Sequence, residues 1–241
     1  MAQAEFRFYA TLNDFLPPAR RGRTLLHQAA ENASVKQAIE ALGVPHPEVA
    51  LLLADGAPVD FNHRVRDGMR ISAYPKLQRW GLDWLRPPPA PRLLTDAHLG
   101  HLAAYLRLLG LDTRHCKCQT DAQIAALAQA EERIVLTRDR ALLMHRNIVH
   151  GHYLRRLVPL QQAREVLDRF DLQEHLAPMS RCLRCNGALI KVAKADVAAD
   201  IPADTRMAYE DYRRCPGCQQ IYWQGGHHAG LQWLITQMTT P

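Results

Sequence analysis

A chain of 241 residues, 47% hydrophobic and 22% charged, has enough apolar material for two or three small cores and too ordinary a charge content for wholesale disorder. Its formal net charge of +6 suits a polyanionic partner such as RNA or DNA, and suits a solvated Arg-rich surface equally well. No apolar run approaches the ~20 residues of a membrane span, and Glu5 and Arg7 interrupt the apolar start, so neither a membrane anchor nor a signal peptide is expected. The expected compartment is the cytoplasm, where paired cysteines read as metal ligands before disulfides.

The first segment, residues 1–75, has the elements of a β-grasp domain. Phe6, Phe8 and Ala10 alternate with Arg7 and Tyr9, which predicts an opening strand with Thr24 to Ala30 as its hairpin partner. Ser34 and Gln37 form a capping-box pattern, Val35, Ala38, Ile39 and Leu42 share a helical face, and Gly43 stops the helix. Val49 to Leu53 runs apolar into an Asp55-Gly56 turn, and Asp67-Gly68 precedes a last strand, Met69 to Tyr74. This segment looks like the small ubiquitin-like sulfur carriers, which act through a free C-terminal Gly-Gly. Here Tyr74-Pro75-Lys76 continues, so carrier chemistry is not available. A docking or substrate-presenting module and a stabilising appendage both remain open.

Residues 76–91 read as a linker, made extended by Pro87-Pro88-Pro89 and Pro91. Trp80, Trp84 and Leu85 within it would pack on a neighbouring domain or stack on nucleic acid.

Residues 92–175 alternate strand and helix, which predicts a parallel sheet with helices on both faces. The expected strands are Arg92 to Thr95, Leu111 to His115, Ile134 to Thr137 and Val149 to Leu154. Helical patterns cover Leu99 to Leu109, Ala122 to Glu131, Ala141 to Met144 and Leu160 to Phe170. Ligands bind beyond the carboxyl ends of such strands, where Asp96, Asp121 and Asp139 all fall. Converging carboxylates repel unless a cation neutralises them, and a hard ion, Mg²⁺ or Mn²⁺, suits oxygen ligands. Each Asp also stands at a helix start, where it could serve simply as an N-cap. Arg107 and Arg138 are candidate phosphate contacts, Arg107 alternatively a salt-bridge or snorkelling arm. His98 and His101 share a helix face and read as a solvent-facing pair before a metal site; Cys116 and Cys118 read as incidental.

Residues 176–241 contain Cys182-Leu183-Arg184-Cys185 and Cys215-Pro216-Gly217-Cys218. Two Cys-x-x-Cys turns supply four thiolates to one tetrahedral ion, so Cys182, Cys185, Cys215 and Cys218 predict a closed, structural zinc site in a zinc ribbon. Arg181, Arg184, Lys191, Lys194, Arg213 and Arg214, with Tyr222 and Trp223, could contact RNA. Gly225, Gly226, His227 and His228 begin a polar tail.

Asp96, the Leu99-Gly100 pair, the run Leu106-Arg107-Leu108-Leu109-Gly110-Leu111-Asp112, and Thr137-Arg138-Asp139 before Leu142 closely resemble the PIN-like ribonuclease family named after the Mut-seven exonuclease C-terminus. Its acidic helix start matches Asp121, though Asp121 stands alone where many members show two acids, and Asp139 is followed by Arg140. The resemblance implies a metal-dependent ribonuclease with Asp96, Asp121 and Asp139 around Mg²⁺ or Mn²⁺, a C-terminal zinc ribbon and an N-terminal ubiquitin-like module. The contrasting expectation is a non-catalytic RNA- or protein-binding adaptor that keeps a vestigial acidic rim.

Overall fold

The computed structural model describes residues 1–76 and 91–240; the proline-rich linker with Trp80, Trp84 and Leu85 lies outside them. In chain order the elements are β1 (Ala2–Phe8), β2 (Thr24–Ala29), α1 (Val35–Ala41), β3 (Val49–Ala54), β4 (Ala57–Val59) and β5 (Arg70–Pro75). Then follow β6 (Arg92–Thr95), α2 (Gly100–Leu108), β7 (Thr113–His115), α3 (Asp121–Ala130), β8 (Arg133–Thr137), α4 (Arg140–Leu143), β9 (Gly151–Tyr153) and α5 (Pro159–Phe170). The last are β10 (Ile190–Val192), α6 (Lys194–Val197), α7 (Ala203–Ala208), β11 (Tyr212–Arg214), β12 (Ile221–Trp223) and α8 (His228–Thr239). No helix among the described residues is long and apolar enough to cross a membrane. The described residues divide into two compact units, 1–76 with 137–153 and 91–136 with 154–240.

The first unit is built on a mixed β-grasp sheet of order β2-β1-β5-β3-β4, in which β1 and β5 run parallel and the other neighbours antiparallel. Strand alternation sends Ala4, Phe6 and Phe8 inward, and α1 buries Val35, Ala38 and Ile39 in the same core. Ser34 caps α1 as its sequence predicts: its hydroxyl accepts from Gln37 N and the Gln37 side chain accepts from Ser34 N. The connection from β1 to β2 is no tight hairpin, since it passes through two 3-10 turns, Ala10–Phe15 and Pro18–Arg20. Phe15 enters the core from the first of them, and Tyr153 of β9 packs against that core.

In the second unit β7, β6 and β8 lie side by side in that order, all parallel. Every residue of β8 is buried, as a strand covered on both faces requires. Leu93, Ile134 and Leu136 face a core shared with Leu102 and Leu106 of α2 and with Ala163, Val166 and Leu167 of α5. Leu94 and Val135 alternate to the opposite face, and α3 buries Ile124, Ala125 and Ala128.

The polar tail expected after Gly225 is instead the twelve-residue helix α8. Leu231, Leu234, Ile235 and Met238 recur at helical spacing and join the α2–α5 core, and Arg164 Nε donates to Gln237 O at 2.5 Å. The chain end therefore closes the α/β core. The ribbon is an antiparallel sheet of order β10-β11-β12 over a small core of Val197, Ile201, Tyr212 and Ile221. A core that small cannot stand alone without a staple.

Candidate functional site

The three aspartates stand where the sequence puts them, at strand ends and helix starts. Asp96 follows β6 and is 8% exposed; its Oδ1 accepts from His98 N at 3.0 Å and so caps a 3-10 turn, Ala97–Leu99. Asp139 follows β8, is exposed, and caps α4, Oδ1 accepting from Ala141 N at 2.7 Å and Leu142 N at 3.4 Å. Asp121 is different. Thr120 and Gln123 form the capping box of α3, so the exposed Asp121 carboxylate is not needed as its cap. A carboxylate has about four lone-pair sites, so a capping bond leaves capacity for a cation. Among the described residues the three aspartates do not belong to any close grouping of metal-ligand atoms.

One neighbour of Asp96 escaped the sequence reading. His115 ends β7 opposite Thr95 in the strand register, and its Nδ1 lies 3.0 Å from Thr95 Oγ1. Burial first, then the Arg107 charge, lowers its pKa, against a smaller opposing pull from Asp96. His115 thus props the strand end that carries Asp96. The only sequence signal was a polar residue closing an apolar strand. His98 and His101 are exposed, as expected. Cys116 is buried, which raises its thiol pKa, and Cys118 is exposed.

Arg138 is exposed beside Asp139. Arg107 has a different task from the phosphate contact that its charge suggests. It is 7% exposed, Nε donates to Thr113 O at 2.8 Å, and Nη1 donates to Leu183 O at 3.0 Å and Arg184 O at 3.3 Å. Those last two carbonyls belong to the first cysteine turn. Asn186, just beyond that turn, accepts from Thr113 N at 2.9 Å and donates to Asp112 Oδ1 at 2.8 Å. Arg133 Nη1 donates to the same Asp112 oxygen at 2.8 Å, and Arg181 Nη2 lies 3.5 Å from Asp112 Oδ2. Gly110 takes φ +88°, and a Cβ there would come 2.1 Å from Ala177 O. The Leu-Arg-x-Leu-Gly-x-Asp run is therefore the seam on which the ribbon seats.

The four cysteines meet as predicted. The Sγ atoms of Cys182, Cys185, Cys215 and Cys218 lie within 4.8 Å of one another, with Cys182–Cys218 at 3.5 Å and Cys185–Cys215 at 3.3 Å. A tetrahedral ion with Zn–S bonds of ~2.3 Å separates its sulfurs by about 3.8 Å, so the donor set fits zinc. A Cβ on Gly187 would come 2.9 Å from Cys215 Sγ, which leaves glycine at that position. Tyr222 does not stack outward. Its hydroxyl lies 3.2 Å from Cys182 Sγ and accepts from Leu183 N at 3.0 Å. Burial raises the Cys182 pKa, but the Tyr222 hydroxyl and the Cys185 and Arg184 main chain outweigh it and bring the thiol down to about 6. Of the six ribbon cations read as RNA contacts, three are paired with the ribbon's own acids: Lys191 with Asp211 at 2.9 Å, Lys194 with Glu210 and Arg214 with Asp200, both at 2.5 Å. The basic patch read from the sequence is thus diluted at those three positions.

A family model described as Mut7-C RNAse domain matches residues 91–235, and one described as Mut7-C ubiquitin matches residues 1–80. No curated protein matches the chain. Two solved structures do: the small archaeal modifier protein 1 of H. volcanii, 17% identical with TM-score 0.27 over 32% of this chain and 100% of that one, and SAMP1 from Haloferax volcanii, 16% identical with TM-score 0.27 over 32% and 97%.

Proposed function

Because the chain belongs to the Mut7-C RNAse domain family, we propose that it is a divalent-metal-dependent ribonuclease that hydrolyses RNA phosphodiester bonds. The carrying observation is the family match over residues 91–235, which includes the Asp96 strand end and Thr137-Arg138-Asp139. Asp96, Asp121 and Asp139 are the oxygen donors that would hold Mg²⁺ or Mn²⁺. Such an ion activates water and offsets charge on the transferring phosphate. Asp96 is held by its turn and by the Thr95–His115 pair, and Asp139 by the two main-chain N–H groups of α4. Arg138 supplies a planar guanidinium suited to a phosphate of the RNA. Zinc, bound by the four cysteines, has a structural role, since four sulfur ligands leave no open position.

The test is cleavage of labelled single-stranded and structured RNAs by protein supplied with Mg²⁺ or Mn²⁺, beside an Asp96→Asn, Asp139→Asn double variant. Cleavage by the wild type and its loss in the variant, by about 10³-fold or more, supports the reading. Cleavage that persists in the variant places the chemistry elsewhere. If the wild type cuts no RNA, the non-catalytic adaptor is the better account.

A further inference from the structure

The segment that follows Thr137-Arg138-Asp139 is gripped by the N-terminal module. Arg140 lies over the Phe15 ring at 5.2 Å and the Tyr153 ring at 5.6 Å, and its Nη1 donates to Phe15 O at 3.1 Å. Phe15 and Tyr153 meet edge to face, centroids 5.4 Å apart. Glu48, 1% exposed, accepts from Tyr153 N at 2.6 Å and from His152 Nδ1 at 2.8 Å, and His152 is 3% exposed. His46 lies between Glu40 Oε1 at 2.6 Å and Ile148 O at 2.7 Å.

These are not the contacts of a loop draped on a surface. A carboxylate taken almost wholly out of water costs several kcal/mol unless it is paired and hydrogen-bonded. Glu48 finds such partners in His152 and Tyr153, more than 100 positions away. Arg140 is the residue after Asp139, and two aromatic faces and a carbonyl fix its head group. Holding Arg140 therefore limits the freedom of Asp139, whose Oδ1 is tied to the first N–H groups of the same helix.

We propose that the β-grasp module is an intramolecular clamp that holds Arg140 to Tyr153 and thereby fixes Asp139 for metal binding. Glu48 and Arg140 are its positioning residues. The module's partner is a segment of its own chain, and the chemistry it recognises is a guanidinium, an imidazole and a main-chain N–H. The link to metal rests on the ribonuclease reading; the grip itself does not.

The experiment uses the full chain with Arg140→Ala, Glu48→Gln, Asp139→Asn, the Arg140→Ala/Asp139→Asn double variant, and Arg7→Ala as a control. Amide hydrogen exchange reports the grip, and loss of the free Mn²⁺ spin-resonance signal reports metal binding without reference to cleavage. Arg140→Ala, at an exposed position, should speed exchange in 144–153 and weaken Mn²⁺ binding about 10-fold or more. It should add nothing in the Asp139→Asn background, because both changes act on one ligand. Glu48→Gln should do the same wherever the protein remains folded, and Arg7→Ala should do neither. Unchanged exchange in 144–153 overturns the clamp. Faster exchange with unchanged Mn²⁺ binding, or additive losses in the double variant, overturns its role in placing Asp139. Mn²⁺ binding that behaves as expected beside an absence of RNA cleavage sinks the ribonuclease reading and leaves the clamp standing.

Discussion

Asp112 is the hub of the seam under the ribbon, and its charge state sets how that seam responds to acid. Burial raises its pKa, but hydrogen bonds from Arg133 and Asn186, helped by the Arg133 and Arg181 charges, outweigh it and hold the carboxyl below the usual carboxylate range. A carboxyl depressed in the folded state stabilises the fold above its unfolded pKa, and the contribution is lost as pH falls through the folded one. Stability should therefore drop as pH is lowered below ~4. Asp112→Asn should be weaker by about 1–3 kcal/mol at neutral pH and show a shallower fall in acid. Urea midpoints across pH check both; equal acid slopes would contradict the assignment. At this scale the sequence is legible where partners are local. The capping box of Ser34 and Gln37 could be read directly, and Thr120 with Gln123 makes the same pattern one residue before Asp121. Arg107 could not be read this way. Its acceptors are main-chain carbonyls 76 and 77 residues on, and a carbonyl carries no side-chain signature.

Elements recognised by period were found, and those masked by composition were not. The opening strand alternated with period two and α1 showed a 3.6-residue face, while β3, β6 and β8 were legible as short apolar runs. In α8 the spacing of Leu231, Leu234, Ile235 and Met238 was present, but Gly225-Gly226-His227-His228 before it and Gly230 within it read as a tail. Met238 is 2% exposed, so Met238→Ala should cost about 2–5 kcal/mol in thermal or urea unfolding. A change under about 0.5 kcal/mol would mean that α8 is an appendage after all. The ribbon makes a second prediction. The protein should carry about one zinc per chain, and Cys182→Ser should lower that content and expose β10, β11 and β12 to exchange. Since Leu183 and Arg184 lend their carbonyls to Arg107, protection around Thr113 should weaken in the same variant. A ribbon that keeps full protection without metal would show that the staple is dispensable.

At the scale of the molecule, the order of β-grasp, parallel α/β and ribbon modules was visible in the sequence, because each module has its own pattern. The composition of the two compact units was not. Residues 137–153 read as part of the α/β region by strand–helix alternation, yet they share a unit with residues 1–76. Contacts within that unit join His46 to Ile148 and Glu48 to His152, 102 and 104 positions apart, beyond the reach of any local period. The likeness to sulfur carriers likewise stops at the fold, since β5 ends at Pro75 and the chain runs on.

The buried Glu48–His152 pair has a consequence for how the chain acquires its structure. The β-grasp strands are complete once Pro75 has been made, but Glu48 and His46 cannot find His152 and Ile148 until those residues leave the ribosome. At roughly 5–20 residues per second that interval lasts several seconds, during which an acid destined for the interior stays in water. Closure of the N-terminal unit therefore waits for residues 137–153 and has a large loop to draw in.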